Sequence, residues 1–122
     1  MATLFVALVL AVLVPIDAAH ESTTGSGLRG LVTLFPTRPV CLEEQPCSKP
    51  AAGVVLVFRG NSGRVTRVTT RADGTYRVVL RPGRYAVVAP RYRIGSGVTP
   101  HTVRVPRGRV AHVDFEIDTG IQ

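Results

Sequence analysis

The sequence predicts an all-β protein, a seven-stranded antiparallel β-sandwich, and three observations predict it. Short Val-rich segments alternate apolar and polar side chains with a period of two. Turn pairs such as Asp73-Gly74 and Pro82-Gly83 recur between those segments. Twelve Gly and nine Pro in 122 residues leave no room for a long helix after the N-terminal apolar run.

A chain of this length makes one domain with a single core. Hydrophobic residues are 45% of it and Trp is absent, so the core is expected to be built from Val and a few smaller aromatics.

The N-terminus reads as an address. Leu4 to Val14 is apolar and shorter than the roughly 20 residues a membrane-spanning helix needs. Pro15 breaks it, and Ile16-Asp17-Ala18-Ala19 supplies the small residues that signal peptidase reads. No Lys or Arg precedes the run, so the positive start rests on the terminal amine. The expectation is a signal peptide over residues 1–18, cut after Ala18. No Cys near the cut offers a lipid anchor, so the mature chain is expected to be secreted or in the cell envelope, with no stable membrane anchor. Residues 19–27 are polar and small and are expected to be a flexible leader. The domain then runs over 28–122.

The strands follow in order. Leu28 to Phe35 is the first, ended by Pro36. Ala52 to Phe58 is nearly unbroken apolar sequence, which marks a central strand. Gly60 to Gly63 turns the chain into Arg64–Arg71, where Val65 and Val68 break strict alternation and predict a bulge. Asp73-Gly74 predicts a hairpin turn. Tyr76, Val78 and Leu80 then share one face and Arg77 takes the other. Pro82-Gly83 suits a type II turn, after which Tyr85, Val87 and Ala89 continue inward, with Leu80 paired to Tyr85. Thr102–Pro106 and Val110–Ile117 predict a final hairpin around Arg107-Gly108. In it Val103, Val105, Ala111, Val113, Phe115 and Ile117 face the core, and Arg104 joins His112, Asp114 and Glu116 in a solvated charge cluster.

Two long loops remain. Pro36–Pro50 holds Cys41 and Cys47, which in an exported chain imply a small disulfide ring. A ring of that size contributes about 2–2.5 kcal/mol in the chain-entropy picture. A zinc site joining these thiols to His101 and His112 is disfavoured, because zinc ligands usually come in tighter sequence pairs. No metal or cofactor is expected. Pro90–Pro100 carries Arg91, Tyr92 and Arg93, the candidate binding loop.

The formal charge is +7, and fourteen of the fifteen basic residues are Arg. That balance admits polyanion partners. The arginines are scattered singly over strands and turns, however, which favours solubilised strand faces over a binding patch.

The stretch Thr70-Arg-Ala-Asp-Gly-Thr-Tyr-Arg-Val-Val-Leu-Arg-Pro-Gly-Arg-Tyr85 resembles the Asp-Gly-x-Tyr…Leu-x-Pro-Gly-x-Tyr signature of carboxypeptidase regulatory-like domains. These are transthyretin-like (prealbumin-like) sandwiches, akin to the B-type repeats of bacterial surface adhesins. Gly30-Leu-Val32 and Pro50-Ala-Ala-Gly-Val54 look like the family's earlier segments, so the resemblance spans about Leu28 to Ile117. It implies an extracellular module that stabilises, spaces or binds and does no chemistry. Adhesin repeats often carry a Lys–Asn isopeptide bond, but Lys49 and Asn61 are poorly placed for one, and the disulfide is the expected substitute.

The leading functional expectation is therefore a non-enzymatic secreted or envelope-associated structural or interaction module presenting its two long loops. The partner is unknown, the classes being an anionic envelope polymer, a glycan or a protein. The alternative is a carbohydrate-binding module of the same fold, for which Tyr92 is the best platform residue. No catalytic residue is expected: no nucleophile stands with a base, and the C-terminal Asp-Thr-Gly-Ile-Gln departs from the Tyr-Arg-Gly-Ser ending of the related hydroxyisourate hydrolases.

Overall fold

Two sheets pack face to face in the computed structural model, which describes residues 25–92 and 97–121. The expected signal peptide, most of the expected leader and Arg93 lie outside the described residues. The strands are β1 (Gly27–Phe35), β2 (Lys49–Pro50), β3 (Val55–Gly60), β4 (Val65–Thr69), β5 (Thr75–Val79), β6 (Gly83–Val88), β7 (Val98–Thr99), β8 (Thr102–Val105), β9 (Val110–His112) and β10 (Phe115–Asp118). In the first sheet β1 is central. β5 and then β2 pair along one side of it, β9 and then β10 along the other, with β7 outside β10. The second sheet runs β4-β3-β6-β8.

Ten strands replace the seven expected. β2 and β7 are two-residue pairings inside the long loops, and the last expected strand is divided at Val113–Asp114 into β9 and β10. The sandwich is also not wholly antiparallel, because β9 and β10 run parallel to β1. The chain returns from the second sheet at the end where β1 begins, and so travels in the same direction as β1.

Three predicted turns do different work from that expected. Gly60–Gly63 is a true hairpin, joining β3 to β4 with Gly60 N donating to the Arg64 carbonyl at 2.9 Å. The Asp73-Gly74 turn instead carries the chain from β4 in one sheet to β5 in the other. Pro82-Gly83 returns it to the second sheet, so Leu80 and Tyr85 face each other across the core and are not ladder partners. Arg107-Gly108 makes the third crossing, from β8 to β9. Turn chemistry reverses a chain; it does not select the sheet that the next strand joins. The predicted bulge in β4 is absent, since the register from Val55↔Thr69 to Arg59↔Val65 is unbroken.

The core follows the alternation. Leu28, Val32, Leu56, Phe58, Tyr76, Val87, Phe115 and Ile117 are among its buried members. The Phe58, Tyr76 and Phe115 rings form its aromatic centre, with centroids 5.5–6.4 Å apart. Ala111 and Val113 are half-buried and pack against it.

The ordered domain starts earlier than Leu28. Ser26 is buried, its carbonyl accepts from Leu80 N at 3.2 Å, and its hydroxyl accepts from Gly108 N at 2.9 Å. Ser26 and Gly27 therefore belong to the sandwich and not to the leader. Thr70 performs a similar task at the opposite end. Buried, it accepts from Val54 N at 2.9 Å and donates to the Ala51 carbonyl, so one hydroxyl holds the 51–54 turn closed. Gly74 is required by position, because at φ +83° a Cβ would lie 2.8 Å from both Pro50 and the Val32 carbonyl.

Candidate functional site

Both long loops leave the same end of the sandwich. β1 ends at Phe35 and opens the 36–48 loop, and the 89–97 loop closes on β7, which pairs with β10 beside β1. The C-terminal segment ties the two together. Asp118 N donates to the Gly97 carbonyl at 2.8 Å, and Thr119 N donates to the Phe35 carbonyl at 3.1 Å. The Thr119 hydroxyl donates to the Pro36 carbonyl at 2.6 Å. Nothing in the sequence marked Thr119 for this bridge, because its partners lie more than 80 residues away.

The first loop is braced internally. Cys41 and Cys47 form the expected disulfide, with their Cα atoms 5.4 Å apart. Thr37 N donates to the Cys47 carbonyl at 2.8 Å, and the Arg38 guanidinium donates to the Gln45 side-chain oxygen. This leaves Val40 and Leu42 exposed at 67% and 55%, with Phe35 and Ile121 also exposed at the same end. Glu43 and Glu44 give the loop an acidic flank. Four exposed apolar side chains thus surround a braced ring, a feature that the loop's Pro and charged residues obscure in the sequence.

The candidate residues of the second loop differ from one another. Arg91 is exposed, as expected. Tyr92 is half-buried against the core, and its N donates to the Ala89 carbonyl at 2.9 Å. It is therefore a weaker platform for a ligand than its sequence position suggested.

A second concave region lies on the outer face of the first sheet. It has a volume of about 380 Å³ and is lined in part by Arg29, Arg71, Arg77, Asp73 and His112. The register places Arg77, Arg29 and His112 directly opposite one another on β5, β1 and β9. Carboxylates stand among these cations. Asp73 accepts from the Thr75 hydroxyl at 2.6 Å and from its N at 3.0 Å, and those bonds hold its carboxyl below the ordinary range. Asp114 accepts from Leu31 N at 2.8 Å and contacts His112 Nε2 at 2.9 Å; the Leu31 bond first, then His112, lowers its carboxyl too. The cluster expected around Arg104 is thus corrected. His112 and Asp114 do meet, but Arg104 lies on β8 in the other sheet, opposite Arg84.

Among the described residues no three His, Cys, Asp or Glu gather to hold a metal ion, and both cysteines are spent in the disulfide. Lys49 and Asn61 sit in different regions, on β2 of the first sheet and in the β3–β4 turn of the second.

No family model matches the chain, and no curated protein matches it. Among solved structures it is similar to the full-length RrgB pilus protein of Streptococcus pneumoniae, with 13% identity and a TM-score of 0.48 over 80% of this chain and 26% of that one. It is also similar to a DUF3823 family protein of Parabacteroides merdae, with 22% identity and a TM-score of 0.45 over 77% of this chain and 46% of that one. The chain thus spans less than half the length of either structure. The class that the strands themselves define is a two-sheet β-sandwich.

Proposed function

We propose that this chain is a non-enzymatic extracytoplasmic interaction module that presents its loop end to a partner. The observation that carries the reading is the convergence of the two long loops, tied by Asp118–Gly97 and Thr119–Phe35/Pro36 and stiffened by the Cys41–Cys47 ring. A braced loop loses less entropy on binding than a free one. Val40, Leu42, Phe35 and Ile121 supply apolar contact area, and Arg91 supplies a charged neighbour. The N-terminal apolar run and the disulfide support a location outside the cytoplasm. The resemblance of Thr70–Tyr85 to the carboxypeptidase regulatory-like signature supports a transthyretin-like module of that kind.

The carbohydrate-binding alternative has less support. Tyr76 and Tyr85 are buried and Tyr92 is half-buried against the core, so none of the three tyrosines stands fully exposed as a sugar platform. An enzymatic role has less support among the described residues. The His112–Asp114 pair is largely exposed, and Asp114 is already engaged by the Leu31 amide.

The test is retention of the full chain on isolated cell envelope, eluted with a salt gradient. Val40→Ser/Leu42→Ser and Arg91→Ala are expected to lower retention while leaving the thermal midpoint unchanged. Retention unaffected by both sets would sink the loop-end reading.

A further inference from the structure

Several of the singly scattered arginines converge in the fold, at the end of the sandwich opposite the two long loops. Three turns close that end, Gly60–Arg64, 80–83 and 106–109, and each carries arginine. The last two are held beside the start of β1 by the Leu80 and Gly108 amides bonding Ser26. The second sheet continues the charge. Its register sets Arg84 directly opposite Arg104, and Arg59, whose β6 partner is Ala86, lies one diagonal step from Arg84. Such neighbours are about 5 Å apart when opposite and about 7–8 Å on the diagonal.

No Asp or Glu occurs between Glu44 and Asp73, or between Asp73 and Asp114. None of the four strands of the second sheet and none of these three turns therefore bears a carboxylate. That separates this end from the cations around Arg29, which share their surface with Asp73 and Asp114.

A concavity of about 210 Å³ sits at the same end, lined in part by Arg64, Arg81, Arg84, Asn61 and Ser62. Its wall is fixed, because the buried Tyr85 donates its hydroxyl to the Arg81 carbonyl at 2.7 Å. Three guanidiniums, an amide and a hydroxyl around one volume offer more donors than a planar carboxylate can accept, and they suit a phosphate group. Like charges set opposite each other weaken a sheet, and a bound anion reverses that sign.

We propose that this basic end binds a linear phosphate-bearing polymer, with one phosphate seated among Arg64, Arg81 and Arg84 and its neighbours along Arg104 and Arg59. Both aromatic residues on the second sheet, Phe58 and Tyr85, are buried, so the face offers no ring on which a nucleic-acid base could stack. It also has no Trp or Tyr of the kind that anchors a protein at a lipid interface. The proposal goes beyond the loop-end reading and stands or falls separately from it, since the two ends are tested by different variants and different probes.

The test is binding of the full chain to inorganic polyphosphate at several salt concentrations. The variant Arg64→Gln/Arg81→Gln/Arg84→Gln/Arg104→Gln is compared with a charge-matched control, Arg29→Gln/Arg38→Gln/Arg71→Gln/Arg77→Gln, with circular dichroism confirming that both fold. The first variant is expected to lose about tenfold or more in affinity, and its plot of log affinity against log salt should flatten by about one unit per phosphate contact removed. The control should stay near wild type. If the quadruple variant fails to fold, Arg84→Gln/Arg104→Gln is expected to show a smaller loss of the same kind. Equal losses in both sets would reduce the effect to net charge and overturn the proposal. So would orthophosphate competing as well per phosphate as the polymer, or binding to phosphatidylglycerol vesicles without binding to polyphosphate.

Discussion

The Tyr76 hydroxyl donates to the Val113 carbonyl over 2.6 Å, and it does so across a glycine. Tyr76 on β5 is the register partner of Gly30 on β1, and Val113 lies at the break between β9 and β10 on the far side of β1. A Cβ on Gly30 would stand 2.1 Å from that same carbonyl. Tyr76 therefore spans the central strand at Gly30, whose missing side chain lets the break in the neighbouring strand approach.

Tyr76→Phe removes this donor and leaves the ring in place. The expected cost is about 1 kcal/mol, read as a fall of about 4–8 °C in the thermal midpoint. Burial, with the nearby Asp114 charge, pushes the phenol well above its usual range, so Tyr76 stays a donor at neutral pH. A midpoint equal to wild type would show that the bond contributes nothing.

Gly30→Ala should cost more than Tyr76→Phe, about 3 kcal/mol or above, because the clash is with backbone and no side chain can rotate away. Urea unfolding of the two single variants ranks them directly. The reverse order would mean that the β9–β10 break can shift to make room.

Arg84→Gln is expected to raise the thermal midpoint slightly, by about 1–3 °C, by removing a like charge directly opposite Arg104. The gain should shrink as salt screens the pair. Destabilisation would show that the Arg84 stem packs usefully on its neighbours and that repulsion is the smaller effect.

Asp114 gives stability a defined pH dependence. Its carboxyl is held below the ordinary aspartate range in the folded chain, first by the Leu31 amide. An ionised group with a lowered folded value stabilises above its unfolded value, and that contribution fades as pH falls through the folded one. The advantage of wild type over Asp114→Asn should therefore be present at neutral pH and close below about pH 4. Melting both proteins from pH 7 to pH 2.5 checks the sign, and a gap that widens on acidification would contradict it.

Cys41→Ser/Cys47→Ser should lower stability by about 2 kcal/mol, the entropy of a small ring released in the unfolded chain. Limited proteolysis should then cut within 38–46 first. Reduction of wild type should reproduce the loss.

The inward and outward assignment of Tyr76, Val78, Leu80, Tyr85, Val87 and Arg77 was legible from the period of two alone. A strand's side chains must alternate, and an apolar set must find a core, so the pattern specifies burial wherever the strand ends up. The Cys41–Cys47 ring was legible for a similar reason, because the chain has only two cysteines and they lie close in sequence. The loop-end candidates were only partly legible: Arg91 is exposed, while Tyr92 turns back to the core and Arg93 lies outside the described residues.

Which sheet each strand joins was decided only in three dimensions. Asp73-Gly74 and Pro82-Gly83 were readable as reversals, since a glycine at positive φ relieves a local steric conflict. Whether the chain then pairs with the strand it has left or crosses the core depends on hydrophobic faces and hydrogen-bonding edges far away in sequence. That choice put Arg104 beside Arg84 and away from Asp114. It also brought Thr119 to Phe35 and gathered arginines that are scattered along the chain at one end of the sandwich. Strand alternation and turn residues specified most of the core and the places where the chain reverses. Long-range pairing decided which charges and loops became neighbours, because that energy lies in contacts that no local pattern encodes.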